Sequence, residues 1–404
     1  MKIKYKKIKI CILGPFFLDD LLKRKHNNSF RALGTTGAPY LSNIARSMSK
    51  NNKYDISVVS LSSNMKKSIN VKNIGKIKAY FCPERAHHIR FNGSSVGKIF
   101  DLFNKEINYL LKAINIIKPD IILSNWAYEY THAAHRSKIK YITINHDVPH
   151  KIFYYIPTIL RFVKFMMAKY ILKKVKNIIT PSEYLKKETK KYSDTNIKVI
   201  FNPVEKSFFL KKKNIKKDKK IKKILMISNG FGAHKNIKKA ITSFPYLLKK
   251  DSSYRLYIYG SMMGKNEACY NWAIKEKIDL KNIIFKGYVD NYKLPNIYKK
   301  SFIHLSTSLE ETFGLTYAEA MASGTPIIAG KNSGATKEII QNCGILVDVK
   351  SSKSIINGIL RYNNKKIYEK KRILGLKRAK LFFNTNNITK EYFKHIENIL
   401  NKDI

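Results

Sequence analysis

The 404-residue chain is short of acid, short of cysteine, and without any long hydrophobic run. Its four cysteines, Cys11, Cys82, Cys269 and Cys343, stand far apart with no CxxC pair, which excludes a disulfide framework and a zinc site. They read as small buried apolar residues in a reducing compartment. No stretch approaches the ~20 apolar residues of a membrane-spanning helix. The early lysines precede only Ile8–Leu13, which Gly14-Pro15 ends, so the run reads as a strand and not as a signal peptide. The expected location is therefore cytoplasmic, either free or peripheral on the cytoplasmic face of the inner membrane. Specific nucleic-acid binding is not expected, because there is no arginine cluster, aromatic-interleaved groove or Cys/His finger. No metal constellation is visible either.

The shortage of acid is large: 28 Asp and Glu stand against 78 Lys and Arg, a formal charge of +50. Two readings fit. Such a field attracts anionic lipid or nucleic acid. Alternatively, the abundance of lysine, asparagine and isoleucine reflects a genome rich in A and T, whose codons favour all three. What is present in ordinary amount is apolar residue, at 44%, enough for packed cores and too much for disorder. The length exceeds the size at which one core usually stops growing, so two domains are expected.

Strand-like runs alternate with helical stretches. Ile8–Leu13, Ile56–Leu61, Asp120–Leu123 and Tyr141–Ile144 read as strands, with helices over Pro39–Ser49 and Lys105–Ile117 between them. After the lysine-rich segment Lys206–Lys223, read as a solvated linker or domain edge, a second cycle begins. Its strands are Ile224–Ile227, Leu256–Tyr259, Ile283–Phe285, Phe302–Leu305, Ile327–Ala329 and Ile345–Val347, and its first helix is Ile237–Leu248. This rhythm predicts α/β domains with parallel sheets, whose ligands lie beyond the strand C-termini. The segment Phe153–Val175 is apolar, aromatic and basic; it suits either a helix packed in the core or one lying on lipid.

The densest chemistry lies in Ser306–Pro326. Glu311 and Glu319 stand eight positions apart across a turn containing Gly314, just before a short helix. N–H groups around Phe313, Gly314, Leu315 and Thr316 at a helix start suit a phosphate, and carboxylates on either side suit sugar hydroxyls. A nucleotide sugar carries both.

The string Glu-Glu-Thr-Phe-Gly-Leu-Thr-Tyr-Ala-Glu-Ala-Met-Ala-Ser-Gly-Thr-Pro (310–326) resembles the donor-site segment of the retaining GT-B glycosyltransferases, family 4, with Glu311 to Glu319 as its E-x7-E motif. Other segments resemble the family in the same order. They are Gly34-Thr-Thr-Gly37 with the following helix, Asn145-His-Asp-Val-Pro149, the strand–helix junction at Thr180-Pro-Ser182, Ile227–Asn236, Gly287–Tyr298, and Ser333-Gly334 with Glu338. The resemblance implies a GT-B fold: two Rossmann-like parallel-sheet domains facing across a cleft. The expected division is 1–202 on the acceptor side, 203–386 on the donor side, and a terminal helix 387–404 returning to the first domain.

It also implies roles. Glu319 holds the ribose, Glu311 contacts the transferred sugar, and the amides of Phe313–Thr316 meet sugar and phosphate. Lys235 neutralises the leaving diphosphate, with Asn229 and Gly230 beside it where the family usually carries an arginine; Arg85, Arg90 and Arg136 are candidates to replace that charge. Gly37 lets its loop approach donor and acceptor, His146 donates to the transferred sugar, Asp147 orients the loop that carries His146, and Gly287 and Tyr288 line the base pocket. Ser182 reads as a helix cap.

The implied activity is transfer of a hexose (mannose, glucose, galactose or N-acetylhexosamine) from a GDP- or UDP-sugar with retention and without a metal or a tightly bound cofactor. The acceptor would be a saccharide or lipid-linked saccharide of cell-surface polysaccharide or lipopolysaccharide. A noncatalytic sugar-nucleotide or glycan-binding protein, a GT-B epimerase or phosphorylase, and a charge-driven nucleic-acid binder are the competing readings.

Overall fold

The computed structural model describes residues 7–23, 33–34, 38–65, 67–85, 97–209 and 220–401. Two units divide the chain: the first runs to Pro203 and resumes at Thr385, and the second is Val204–Asn384.

The first unit is built on an eight-stranded sheet. Its strands are β1 (Ile8–Leu13), β2 (Tyr54–Ser62), β3 (Asn70–Ile74), β4 (Ile77–Pro83), β5 (Ile121–Asn125), β6 (Tyr141–Ile144), β7 (Ile178–Thr180) and β8 (Ile197–Val199). They lie in the order β3-β4-β2-β1-β5-β6-β7-β8. All pairings are parallel except β3 with β4. β1 is apolar over its buried residues Ile10–Leu13 and β5 over Ile121–Leu123, as suits strands buried on both faces, while β5 ends in the buried polar pair Ser124 and Asn125. The hairpin of β3 and β4 is absent from the sequence-based reading. β3 is a polar edge strand, with Val71, Lys72 and Asn73 exposed, and so carries no alternating apolar signal.

The segment 153–175 is two helices, not one. Pro149–Tyr155 and Ile159–Leu172 are separated at Pro157, which lacks an N–H and disfavours helical geometry at Ile156. Thr158 caps the second helix by accepting from the Arg161 N–H at 3.3 Å. The helix Thr385–Leu400 closes this unit. It buries Ile388, Tyr392 and Ile396 at four-residue spacing, one face of a helix. Phe393 stacks on Tyr54 with ring centroids 4.2 Å apart, and Glu397 accepts from the Tyr54 hydroxyl.

The second unit carries β9 (Lys222–Ile227), β10 (Tyr254–Tyr259), β11 (Ile283–Gly287), β12 (Ile303–Leu305), β13 (Ile327–Gly330) and β14 (Gly344–Val347). The order is β11-β10-β9-β12-β13-β14, all parallel. This is the doubly wound dinucleotide-fold order, with its reversal point between β9 and β12. Lys222 and Lys223 belong to β9 and not to a linker: their ammonium groups lie over the Tyr254 and Tyr257 rings, and Lys222 pairs with Asp251 at 2.7 Å. Lys206–Phe208 is a 3-10 turn whose Phe208 is buried against Tyr298, also within the segment expected to be solvated. Residues 210–219 of that segment lie outside the described residues. The unit's two ends meet, since the Val204 N–H donates to the Phe383 carbonyl at 2.8 Å.

All four cysteines are free and buried. Among the described residues no helix is long and apolar enough to cross a membrane.

Candidate functional site

The reversal point of the second sheet, where ligands of such sheets bind, is flanked by the loops leaving β9 and β12. The first loop brings Ser228–Asn236 and the second brings Ser306–Gly314. They are stitched together: the Leu309 N–H donates to the His234 carbonyl at 2.7 Å, and the Thr307 hydroxyl donates to the Asn236 carbonyl at 2.9 Å. On this frame the Lys235 ammonium reaches Glu311 Oε1 at 2.8 Å. The Glu311 carbonyl in turn accepts from the Ala335 N–H at 2.8 Å, tying in the turn after β13.

Gly314 ends the second loop and starts the helix Leu315–Ala322. Its φ of +76° is left-handed, and an added Cβ would stand 2.3 Å from the Tyr317 ring. With glycine at this position no side chain caps the helix, and a first helical turn leaves N–H groups without intrahelical acceptors. Phe313 is buried beside Phe383, ring centroids 5.6 Å apart, which fixes the turn from behind. Leu315 and Thr316 follow, partly exposed. The helix itself is buried almost all round, and Gly375 lets the helix Lys365–Phe382 come close to Met321.

The two glutamates sit in opposite electrostatic conditions. Burial pushes the Glu311 carboxyl up, but the Lys235 ammonium, the Ser308 hydroxyl and His234 outweigh it, so its pKa lies below the ordinary value and it is ionised. Glu319 is buried one turn into the helix and accepts from the Tyr298 hydroxyl at 2.9 Å. Burial, with Glu205 adding repulsion, raises its pKa to about 8 despite that bond, so near neutral pH it is mostly protonated.

Around this pair, Asn229 is exposed, and Gly230 (φ +90°) has open space on its Cβ side. Gly287 ends β11, its carbonyl accepting from the Gly260 N–H at 2.8 Å, and Tyr288 beside it is exposed. Glu311, Glu319, Lys235, Asn229, Gly230, Gly287, Tyr288 and Phe313–Thr316 therefore all lie at the C-terminal ends of β9, β11 and β12 or in the helix that follows.

His146 belongs to the first unit, after β6, and Gly37 lies outside the described residues. The His146 ring is buried, with Tyr40 4.7 Å away between centroids. Its Nε2 has no hydrogen-bond partner among the described residues. Burial lowers its pKa to about 3, leaving a neutral imidazole able to donate one bond. Asp147 accepts from the Tyr128 hydroxyl at 3.1 Å, while burial raises its carboxyl. Ser182 is a cap, accepting from the Leu185 N–H at 3.0 Å. Arg85 is committed to Glu106 and Asp101, Arg136 bonds Asn104 at 2.6 Å, and Arg90 lies outside the described residues.

Sequence reasoning gave no individual role to three residues that shape these sites, although Tyr298 closes the Gly287–Tyr298 stretch that it placed at the base pocket. Tyr298 and Tyr40 are aromatic side chains whose partners, Glu319 and His146, lie 21 and 106 positions away, beyond any local spacing rule. Arg378, in the helix Lys365–Phe382, donates to the carbonyls of Ile339 and Glu338 at 2.7 and 2.9 Å and to Gln341 at 2.8 Å. It holds the C-terminal end of the helix Thr336–Ile340, whose start follows Ala335. Only its position in a lysine-rich helix was visible.

The family model described as "Glycosyltransferase Family 4" matches residues 38–208, and that described as "Glycosyl transferases group 1" matches residues 207–376. The chain belongs to glycosyltransferase family 4. The O-antigen chain mannosyltransferase RfbU of Salmonella typhimurium is 28% identical over 239 residues, 54% of this chain and 62% of that protein. An alpha-monoglucosyldiacylglycerol synthase of Streptococcus pneumoniae is 28% identical over 184 residues, 41% of each. An uncharacterised glycosyltransferase of Methanocaldococcus jannaschii, MJ1607, is 29% identical over 204 residues, 46% of this chain and 50% of that one. The match spans half the length of MJ1607 and 41% of the length of the synthase. In fold, a sucrose-phosphate synthase from Thermosynechococcus elongatus aligns over 97% of this chain and 99% of its own, with TM-score 0.76 and 14% identity. Anabaena Alr3699/HepE, solved with UDP and glucose, aligns over 97% and 100%, with TM-score 0.67 and 13% identity. The fold is therefore that of the GT-B glycosyltransferases, and the family 4 transferases share its two kinds of sheet domain.

Proposed function

We propose that the protein is a retaining hexosyltransferase that takes its sugar from a nucleoside-diphosphate donor held in the second unit. The observation carrying this reading is the Lys235–Glu311 pair beside the Gly314 turn, with Glu319 one helical turn further on. One cation, a helix start without a side-chain cap and two acids in different protonation states match the diphosphate, sugar and ribose of such a donor. Glu319 takes the ribose diol, Glu311 a hydroxyl of the transferred sugar, Lys235 and the amides of Phe313–Thr316 the diphosphate, and Gly287 and Tyr288 the base.

In the reaction, the bond from the anomeric carbon to the diphosphate oxygen breaks and a bond to the acceptor hydroxyl forms on the same face. The departing phosphate accepts the hydroxyl proton. The protein supplies orientation and charge stabilisation at the leaving oxygen, with no metal required of it. Neutral His146 donates to a sugar hydroxyl. Asn229 and Gly230 leave Lys235 as the cation of its loop, so the amides carry more of the leaving charge.

GDP-mannose is the first donor to test, from the His-Asp-x-Pro element and the likeness to a mannosyltransferase; UDP-hexoses follow, since a fold relative was solved with UDP. The acceptor is a saccharide or lipid-linked saccharide of surface polysaccharide, met at the cytoplasmic face of the membrane. A noncatalytic sugar-nucleotide binder is the second reading, favoured by Asn229-Gly230 standing where the family usually carries arginine. A panel of GDP- and UDP-sugars with released diphosphate measured, with and without cell-derived glycolipid, separates them. Donor binding without diphosphate release under all conditions would support the binder and overturn the transferase.

A further inference from the structure

The helix Ile159–Leu172 is apolar on two sides; the first unit buries one and touches the other through Phe153 beside Phe162 (5.7 Å between centroids) and His132 beside Tyr170 (5.9 Å). Met167, Ala168, Ile171 and Leu172 are buried, with Leu160 and Val163 packed beside them against the core. On the opposite side Ile159, Phe162, Met166 and Tyr170 are 63%, 48%, 45% and 54% exposed. Spacings of three, four and four residues stack them in one stripe, within a sector of about 80° at 100° per residue. Single exposed apolar residues need no explanation, but a continuous stripe with two aromatic rings does.

The surroundings of the stripe are cationic. From Pro149 to Lys176 the chain has no Asp or Glu. Lys169, Lys173 and Lys174 are exposed at the end of the helix, and the Lys174 ammonium lies 4.1 Å above the Tyr170 ring. An apolar stripe running into a lysine end matches a helix lying in a bilayer interface, with side chains entering the acyl boundary and lysines meeting phosphates. A protein partner would need an acidic rim to receive those lysines. A second copy of this chain, at a formal +50, is poorly suited to provide one.

We infer that this face docks on an anionic lipid surface, Phe162 and Met166 entering the acyl boundary and Lys169 and Lys173 binding headgroups. It deepens the lipid-linked acceptor reading and rests on that reading for its purpose, while the contact itself does not depend on transfer chemistry.

The test is co-sedimentation of the full chain with phosphatidylglycerol–phosphatidylcholine vesicles, against phosphatidylcholine alone. Salt-sensitive binding to the anionic vesicles is expected. Phe162→Glu with Met166→Glu should abolish it, and Lys169→Ala with Lys173→Ala should weaken it roughly 25-fold, about fivefold per lysine. Lys365→Ala with Lys366→Ala, on the second unit, should leave it unchanged. Phe162→Trp should add a blue-shifted emission component with anionic vesicles only, which a misfolded variant would not give.

Equal weakening by the Lys365/Lys366 pair, with binding retained in Phe162→Glu/Met166→Glu, would make bulk charge responsible and overturn the proposal. So would a shift from dimer to monomer in that variant with no vesicle binding by the wild type, which would mark an interface between copies. A Glu319→Gln chain keeps the two readings apart. If vesicles bind it normally while wild type transfers no sugar from any donor, docking stands and the transferase reading fails.

Discussion

Lys235 and Glu311, 76 positions apart, form a 2.8 Å ion pair at the point where the second sheet reverses its strand order. Each group therefore already has a partner before any ligand arrives. A diphosphate must share or take Lys235, and a sugar hydroxyl must share Glu311, so the two substitutions should act on one unit. Lys235→Ala should lower kcat/KM by about 10²–10³-fold, the range seen when one charge-stabilising donor is removed. Glu311→Gln should also be strongly impaired, and the double variant little worse than the poorer single one. Diphosphate release on the best donor checks this; additive losses would mean the residues work separately.

The same pair predicts an acid limit. Glu311 has a depressed pKa, so it contributes stability at pH values above the ordinary glutamate value of 4.5, lost as pH falls through its lowered value. Lys235→Ala should shift that acid loss to higher pH. Thermal melts from pH 3 to 7 measure it, and coincident curves for the two proteins would refute the coupling.

Glu319 behaves in the opposite sense. Its raised folded pKa means that its contribution is full below about 4.5 and is lost as pH rises through about 8. A ribose diol bonding to the carboxylate would expel the proton. Donor affinity should then rise up to about tenfold per pH unit below 8 and level off above it. Calorimetry in buffers of different ionisation enthalpy should show proton release on binding at pH 7, absent in Glu319→Gln. That variant should also melt ~2 °C higher than wild type at pH 9 and not at pH 6.

Gly314→Ala places a methyl 2.3 Å from Tyr317, whose hydroxyl is engaged by Ser306 at 3.2 Å, at a left-handed φ. The expected cost is about 1–3 kcal/mol of stability, with donor KM raised more than kcat is lowered. Melting together with nucleotide titration tests it; unchanged donor affinity would show that the turn does not meet the donor.

Arg378→Met leaves the Glu338 and Ile339 carbonyls without its guanidinium, costing roughly 2–3 kcal/mol. With the C-terminal end of the helix Thr336–Ile340 released, the hold of Ala335, at its start, on Glu311 should loosen. Donor KM should rise, and Arg378→Lys should restore stability better than it restores KM, because one ammonium cannot span three acceptors. Equal recovery of both would reduce Arg378 to a purely structural residue.

Much of the fold was legible because apolar periodicity is local. Ile8–Leu13, Tyr141–Ile144 and Ile237–Leu248 are the observed bounds of their elements. β3 was not legible, since a polar edge strand has no buried face to leave a pattern. The break at Pro157 was visible as a residue and lost under the continuous aromatic and aliphatic run on both sides. At the site, Glu311 and Glu319 were found by spacing within one segment, and Lys235 by its order along the chain. The partners Tyr298, Tyr40 and Arg378 reach their targets only through folding, and no short-range rule marks a tyrosine as the companion of a distant acid.

The second unit is one uninterrupted stretch whose ends are hydrogen-bonded to each other, whereas the first unit needs Tyr392, Phe393 and Ile396 from beyond it. In chain order the later unit therefore has all its residues while the earlier one still lacks its last helix. During that interval Tyr54 waits without its stacking partner, so the half begun first is the half completed last. A chain cut after Asn384 would hold every residue of the second unit and an unfinished first, the state in which chaperone demand should peak.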